Sequence, residues 1–274
     1  MSERQREETG GPVQEAVGNA QLVVVGTGFR AIGDFTLEAR ACIEQADKVL
    51  CLIGDPLVTH CLGEMNSSVE TLDVHYAVGK KRHDSYEEMV QRILSEVRRG
   101  QFVCVALYGH PGVFAHAGHE AIRRARLEGI SARMLPAPSA EDWLFADLGL
   151  DPGKSGCQSF EASDFLIRHR VFDPTSLLIL WQVGVIGMMD YDARFDARPG
   201  AACLTEVLLA HYGTDHPVTV YEASPYVTAQ PRITTVPLAK LPDSSLRATS
   251  TLVVPPLPQR PFDRDLLARL TRRR

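Results

Sequence analysis

No stretch of the 274 residues stays apolar for the roughly 18 residues that a membrane-spanning helix needs, so no membrane partner is expected. The N-terminus, MSERQREETGGPVQEAVGNA, lacks the apolar centre of a secretory signal. Residues 1–20 read instead as a disordered lead-in. Basic charge is not in excess: the formal net charge is −5, which argues against a nucleic-acid surface. Cysteine is scattered, at Cys42, Cys51, Cys61, Cys104, Cys157 and Cys203, with no C-x-x-C pair. All six read as reduced thiols in a cytoplasmic protein. Cys104, inside an apolar run, reads as a small hydrophobe. There is no internal repeat and no low-complexity tract.

What is present is an alternation of strand and helix signals. QLVVVG (21–26), KVLCLIG (48–54) and FVCVALY (102–108) are continuous apolar runs, the sign of strands buried on both faces. Between them FTLEARACIEQA (35–46) has helical spacing. A further helix is expected from a capping box of Ser85 and Glu88 to a stop at Gly100. HAGHEAIRRARLEG (116–129) predicts another helix, ISARMLP (130–136) a strand, and Ser139 opens a helix with acidic residues in its first turn. The β-α-β-α rhythm implies a mostly parallel sheet covered by helices. After residue 136 prolines punctuate the chain and strands over 176–184, 216–223, 231–238 and 248–255 surround a helix at 202–213. The expectation is α/β throughout: an N-terminal domain over 21–136, a second with a mixed sheet over 137–256, and a basic C-terminal helix or tail over 257–274.

Three motifs carry chemistry. GTGFRAIG (26–33) follows the first strand, where glycines permit a tight turn and close approach of a ligand. Its spacing is not G-x-G-x-x-G, and no acidic residue stands at the end of the second strand to hold a ribose, which disfavours a nicotinamide cofactor. YGHPGVF (108–114) ends the FVCVALY strand, at the edge where open parallel sheets bind ligands. Gly109 and Gly112 bare the backbone, Pro111 stiffens it, and Tyr108 and Phe114 offer flat faces for an adenine or a sulfonium. A small-molecule cradle, a plain turn, or a metal site using His110 with His116 and His119 are the three readings, the last lacking a cysteine or carboxylate partner. YAVGKKRHDSY (76–86) places Tyr76, Arg82 and Tyr86 around a basic loop; it reads as an exposed loop or as a proton-handling site in which a guanidinium lowers the pKa of a phenol. Trp143 and Trp181 are expected in the core, and Gln182, after an apolar strand, is an amide in need of partners.

These segments, with ARMLPAPSAEDWLFADLGLDP, FEASDFLIR and WQVG, resemble the tetrapyrrole-methylase-like class of S-adenosylmethionine-dependent methyltransferases. More closely, residues 21 to 256 resemble the borosin peptide backbone α-N-methyltransferases. The resemblance implies two α/β domains of the tetrapyrrole methylase type, with S-adenosylmethionine in the cleft between them and S-adenosylhomocysteine as product. It implies cofactor binding by Tyr108, His110, Val113, Phe114, Ser139, Ala140 and Gln182, catalysis by Tyr76, Arg82 and Tyr86, and no metal. In that chemistry Tyr76, made more acidic by Arg82, takes a peptide N–H proton while Arg82 and Tyr86 steady the amide oxygen. Fungal members carry a long extension with their own substrate peptide, whereas this sequence ends at TRRR. The expectation is therefore a split enzyme acting on a separate precursor peptide in trans, as a homodimer or a heterotetramer with the precursor. True tetrapyrrole methylases carry G-x-G-P-G-D and G-D-P where this chain has GTGFRAIG and GHPG, which argues against a porphyrin or corrin substrate. Methylation of a tetrapyrrole-like small molecule, or a non-catalytic peptide- and cofactor-binding module, are the alternatives.

Overall fold

The computed structural model describes residues 20–30, 33–77, 79–188 and 195–271. The expected lead-in, apart from Ala20, and the terminal RRR lie outside the described residues. The chain forms two compact units. The first runs to Trp143 and takes in Pro225–Val227; the second holds Leu144–Ser224 and the described residues from Thr228 onward.

The first unit is built on strands β1 (Gln21–Gly26), β2 (Lys48–Leu52), β3 (Val69–Thr71), β4 (Phe102–Leu107) and β5 (Ser131–Leu135). All are parallel, in the order β3-β2-β4-β1-β5. The apolar runs are continuous because helices cover both faces. Leu22 and Val24 point to the face carrying α3 (Arg82–Val97) and α4 (His116–Leu127), where Val90, Ile93, Leu94, Ala121 and Ala125 close the core. Val23 and Val25 point to the other face, against Ala39 and Ile43 of α1 (Leu37–Gln45) and Val58 and Leu62 of α2 (Pro56–Met65). Each fully buried Val or Leu contributes about 1.5–3 kcal/mol by leaving water. Gly118 lets α4 lie close to the sheet: a Cβ there would stand 2.9 Å from Leu107 Cδ1.

Three local departures from the expected pattern matter. Helix α3 does not start at a Ser85 cap. It starts at Arg82, with Lys81 as an N-cap that makes no side-chain bond, and Ser85 is buried one turn inside. Asp55-Pro56 is a helix start: Asp55 accepts from the N–H groups of Leu57 and Val58, and Pro56 occupies the first turn of α2, where its missing N–H costs nothing. Strand β3, three residues long, is too short to show a period.

The second unit contains β6 (Cys157–Glu161), β7 (Leu177–Trp181), β8 (Pro217–Glu222), β9 (Arg232–Pro237) and β10 (Thr251–Val254). Their order is β6-β7-β10-β8-β9, with β6 and β7 parallel and the remaining pairs antiparallel. The sheet is therefore mixed. Its core joins Leu178, Leu180, Val220 and Leu252 to Phe165 of the short helix Ala162–Ile167 and to Leu204 and Leu208 of the helix Arg198–Leu209. The buried Glu222 carboxylate accepts from Arg232, from the Ser250 hydroxyl at 2.5 Å and from Arg247 at 3.4 Å. Burial alone would raise its pKa; these donors outweigh it and hold the carboxyl below its ordinary range.

Candidate functional site

The connection from β1 leads to β2 on one side of the sheet, and that from β4 leads to β5 on the other. Where crossovers diverge in this way, the carboxyl ends of the two strands border a crevice. Gly26-Thr27-Gly28 and Tyr108-Gly109 stand there. The two loops are tied by an antiparallel bridge, Gly28 N–H donating to Gly109 O at 3.3 Å and Gly109 N–H to Gly28 O at 2.9 Å. Gly26 admits no side chain, since a Cβ would lie 2.4 Å from Gly109 O and 2.6 Å from Ala137 Cβ. At Gly109, φ is +67° and the space beside Cα is open, so this backbone is bare.

Tyr108 packs on Phe29 of the first glycine loop, with ring centroids 5.3 Å apart. Burial, and then the Asp55 carboxylate, push its phenol above its ordinary pKa, so it is a neutral hydrogen-bond donor. His110 turns its Nδ1 inward to accept from Gly112 N–H at 3.0 Å. Val113 and Phe114 are 48% and 58% exposed, and Phe114 has φ of +52°. A non-glycine residue held in this region stores strain that often marks a binding site. A bare glycine backbone, a tyrosine on a phenylalanine and two uncovered apolar side chains fit an adenosyl group with a sulfonium.

Ser139 is engaged locally. Its hydroxyl accepts from Glu141 and Asp142 N–H and donates to Asp142 Oδ2, capping α5 (Ala140–Leu148). Ala140 is the first residue of that helix. Gln182 belongs to the second unit. It directly follows β7 in the left-handed region, with φ of +60°, and its side-chain amide has no hydrogen-bond partner among the described residues. His116 and His119 are exposed on α4, His119 Nε2 lying 3.0 Å from Gly112 O. No group of three metal-ligating side chains occurs among the described residues.

Tyr76, Arg82 and Tyr86 come together at the same end of the sheet. Because α3 starts at Arg82, Arg82 and Tyr86 are one turn apart on one face. Tyr76 follows β3 after a single turn, Asp73–His75, and meets Tyr86 edge-on with centroids 6.4 Å apart. Tyr86 in turn lies 5.8 Å from the ring of His116, the first residue of α4, directly after the 108–115 loop. The loop bearing Tyr76 is held to α3 by Glu88, which accepts from Lys80 at 2.6 Å and meets His75 Nδ1 at 3.1 Å. The Arg82 guanidinium has no acidic partner among the described residues.

The sign of the Tyr76 shift is opposite to the sequence expectation. Burial of the hydroxyl, followed by the Tyr86 hydroxyl and Asp73, pushes its pKa up to about 12, and the lowering by Arg82 is the smallest of these influences. A rule about one neighbouring cation missed the desolvation that only packing supplies. Sequence reasoning also missed Asp34, whose Oδ2 accepts from Phe29 N–H at 3.0 Å, Arg30 N–H at 2.8 Å and the Trp143 indole at 2.8 Å. An acidic residue closing a glycine loop was the available signal.

Residues 21–241 match the family described as Tetrapyrrole (Corrin/Porphyrin) Methylases. Among curated proteins, the chain is 40% identical over 254 residues to a methyltransferase/ribosomally synthesized type III borosin cyclic peptide precursor of Anomoporia bombycina, covering 91% of this chain and 30% of that protein. It is 40% identical over 250 residues to the methyltransferase/dendrothelin A precursor of Dendrothele bispora, covering 90% and 60%. To the methyltransferase/omphalotin A precursor of Omphalotus olearius it is 39% identical over 253 residues, covering 91% and 61%. The chain thus spans less than two thirds of the length of these relatives. Among solved structures, uroporphyrin-III-C-methyltransferase of Thermus thermophilus superposes with a TM-score of 0.61 at 20% identity, covering 86% of this chain and 92% of that one. A cobalt precorrin-4 methyltransferase gives 0.60 at 18%, covering 86% and 95%. At these identities the two structures speak for the fold, the family match covers most of the chain, and together they establish that this protein belongs to the tetrapyrrole (corrin/porphyrin) methylase family.

Proposed function

We propose that the protein is an S-adenosylmethionine-dependent methyltransferase that methylates backbone amide nitrogens of a ribosomally made precursor peptide. The observation that carries this reading is the convergence of Tyr76, Arg82 and Tyr86 beside the 108–114 loop. The similarity to methyltransferase/precursor proteins along some nine-tenths of the chain supports the peptide as substrate. Those relatives combine methyltransferase and precursor in one polypeptide; here the peptide is proposed as supplied in trans, to a homodimer in the cytoplasm.

Bound S-adenosylmethionine supplies an electrophilic methyl group. Tyr108, His110, Val113 and Phe114 would hold it, with Ser139 and Ala140 at the start of α5. The remaining chemistry falls to the chain. A peptide nitrogen is a poor nucleophile because its lone pair is delocalised onto the carbonyl. Arg82, permanently charged and without an acidic partner among the described residues, stabilises negative charge on the amide oxygen, and the Tyr86 hydroxyl donates beside it. Tyr76 accepts the amide proton at its phenolate oxygen. With a pKa of about 12 that phenolate is scarce, roughly one part in ten thousand at pH 8, but it is a strong base.

Incubating the protein with S-adenosylmethionine and a separate precursor peptide, followed by fragment-ion mass spectrometry, tests the reading. Methyl increments on backbone nitrogens are expected. Methylation confined to side chains, or methylation of a tetrapyrrole but no peptide, would overturn it.

A further inference from the structure

We infer that Asp34 is a positioning residue for the cofactor: a single carboxylate oxygen that takes three donors and fastens the first glycine loop to α5, two segments beside the proposed binding site. This rests on the reading of that site given above. Asp34 Oδ2 receives three N–H donors, from Phe29 and Arg30 in the first glycine loop and from the Trp143 indole on α5. The first two bonds fold the loop back on itself. They also fix the backbone from which the Phe29 ring reaches Tyr108, 5.3 Å away. The third bond reaches α5 one turn after Ser139 and Ala140. Meanwhile Gly28, within the same loop, is bridged to Gly109.

The packing leaves this arrangement little freedom. A Cβ on Gly28 would lie 2.0 Å from Asp34 Cβ, so the aspartate occupies the space a side chain would need. Arg30 stacks its guanidinium 3.6 Å from the centroid of the Trp143 ring, covering the indole whose N–H meets Asp34. Hydrogen bonds to an ionised acceptor are stronger than neutral ones, and more so where water is partly excluded. Asp34 is engaged by donors of the loop and of α5, so its loss would release the Phe29–Tyr108 pair and the start of α5 at once. The consequence should fall on cofactor affinity and leave turnover of the loaded enzyme nearly unchanged.

The experiment is calorimetric titration of the full chain with S-adenosylmethionine and S-adenosylhomocysteine, for the wild type, Asp34→Ala, Asp34→Asn and Trp143→Phe. For Asp34→Ala the expected rise in Kd is about tenfold or more, with kcat at saturating cofactor changed less than about threefold. Asp34→Asn keeps an acceptor oxygen and should recover most of the affinity. Trp143→Phe, which keeps both loop bonds, should lie between. Wild-type affinity in Asp34→Ala overturns the inference. So does a loss in Asp34→Ala that Asp34→Asn does not recover at all, or a loss of kcat with unchanged Kd. Should Asp34→Ala fail to fold, unchanged affinity in Trp143→Phe overturns the link to α5. Failure of the wild type itself to bind the cofactor would overturn the reading of the site, and the inference with it.

Discussion

Gly28 and Gly109 exchange two backbone hydrogen bonds across the carboxyl ends of β1 and β4, joining the two glycine motifs into one surface. The closeness has a steric requirement at Gly26 and Gly28 but not at Gly109. Gly26→Ala should destabilise the first unit by about 1–3 kcal/mol, because the added methyl meets backbone that cannot yield. Gly109→Ala meets nothing within 4 Å and pays only for its positive φ, about 1–2 kcal/mol. Urea midpoints of the two variants measure the difference, and cofactor affinity should fall much further for Gly26→Ala.

In the proposed mechanism the high pKa of Tyr76 sets the pH dependence of methylation. A base with a folded pKa of about 12 is mostly protonated at every ordinary assay pH, so the rate should climb with pH and show no plateau below about pH 10. Single-turnover rates across pH 6–10, with the enzyme saturated, test this. In Tyr76→Phe the rate should fall by about two orders of magnitude or more and lose that slope. A wild-type plateau near neutral pH would remove Tyr76 as the base.

Arg82→Ala should lower kcat by about 10²–10³ with little change in stability, as expected for a donor that acts on developing charge from an exposed helix start. Arg82→Lys should restore only part of it, because an ammonium on a different stem does not reproduce the guanidinium fork. Rates and thermal midpoints measured on the same samples separate the two effects.

The Glu222 cluster is structural. Glu222→Ala would leave Arg232 and Ser250 without their buried acceptor and should destabilise the second unit by about 3–5 kcal/mol. Chemical denaturation followed by Trp181 fluorescence would show it.

Acid should loosen the first unit. Hydrogen bonding from Arg92, helped by Lys48, lowers Glu70 from its ordinary 4.5 to about 2. A carboxyl with a depressed folded pKa stabilises above its unfolded value, and that stabilisation fades as pH falls from 4.5 towards 2. Glu70→Gln should be less stable than wild type at neutral pH, with the gap closing across that window. Urea midpoints against pH give the comparison.

Much of the architecture was legible because long buried strands and capped helices leave local signatures. QLVVVG and FVCVAL became adjacent parallel strands, and helix signals at 35–46 and 116–129 became α1 and α4. What stayed hidden was short or ambiguous. β3 has three residues, and Asp-Pro serves turns and helix starts alike. The start of α3 was misplaced because Ser85 and Glu88 mimic a capping box, whereas burial put Ser85 inside the helix.

The sequence by itself singled out the residues to which the proposed chemistry is assigned: the glycine loops, the exposed aromatics of 108–114, and the Tyr76, Arg82 and Tyr86 set. It did so because residue type and spacing decide what a segment can bind or ionise. Only the tertiary structure decided how those groups behave. Strand order brought Gly28 to Gly109, the true start of α3 aligned Arg82 with Tyr86, and packing raised the Tyr76 phenol against the pull of its arginine. Asp34 joined Phe29 and Arg30 to Trp143 across 109 residues of sequence. Desolvation and long-range hydrogen bonds depend on what surrounds an atom in space, and no local pattern encodes that.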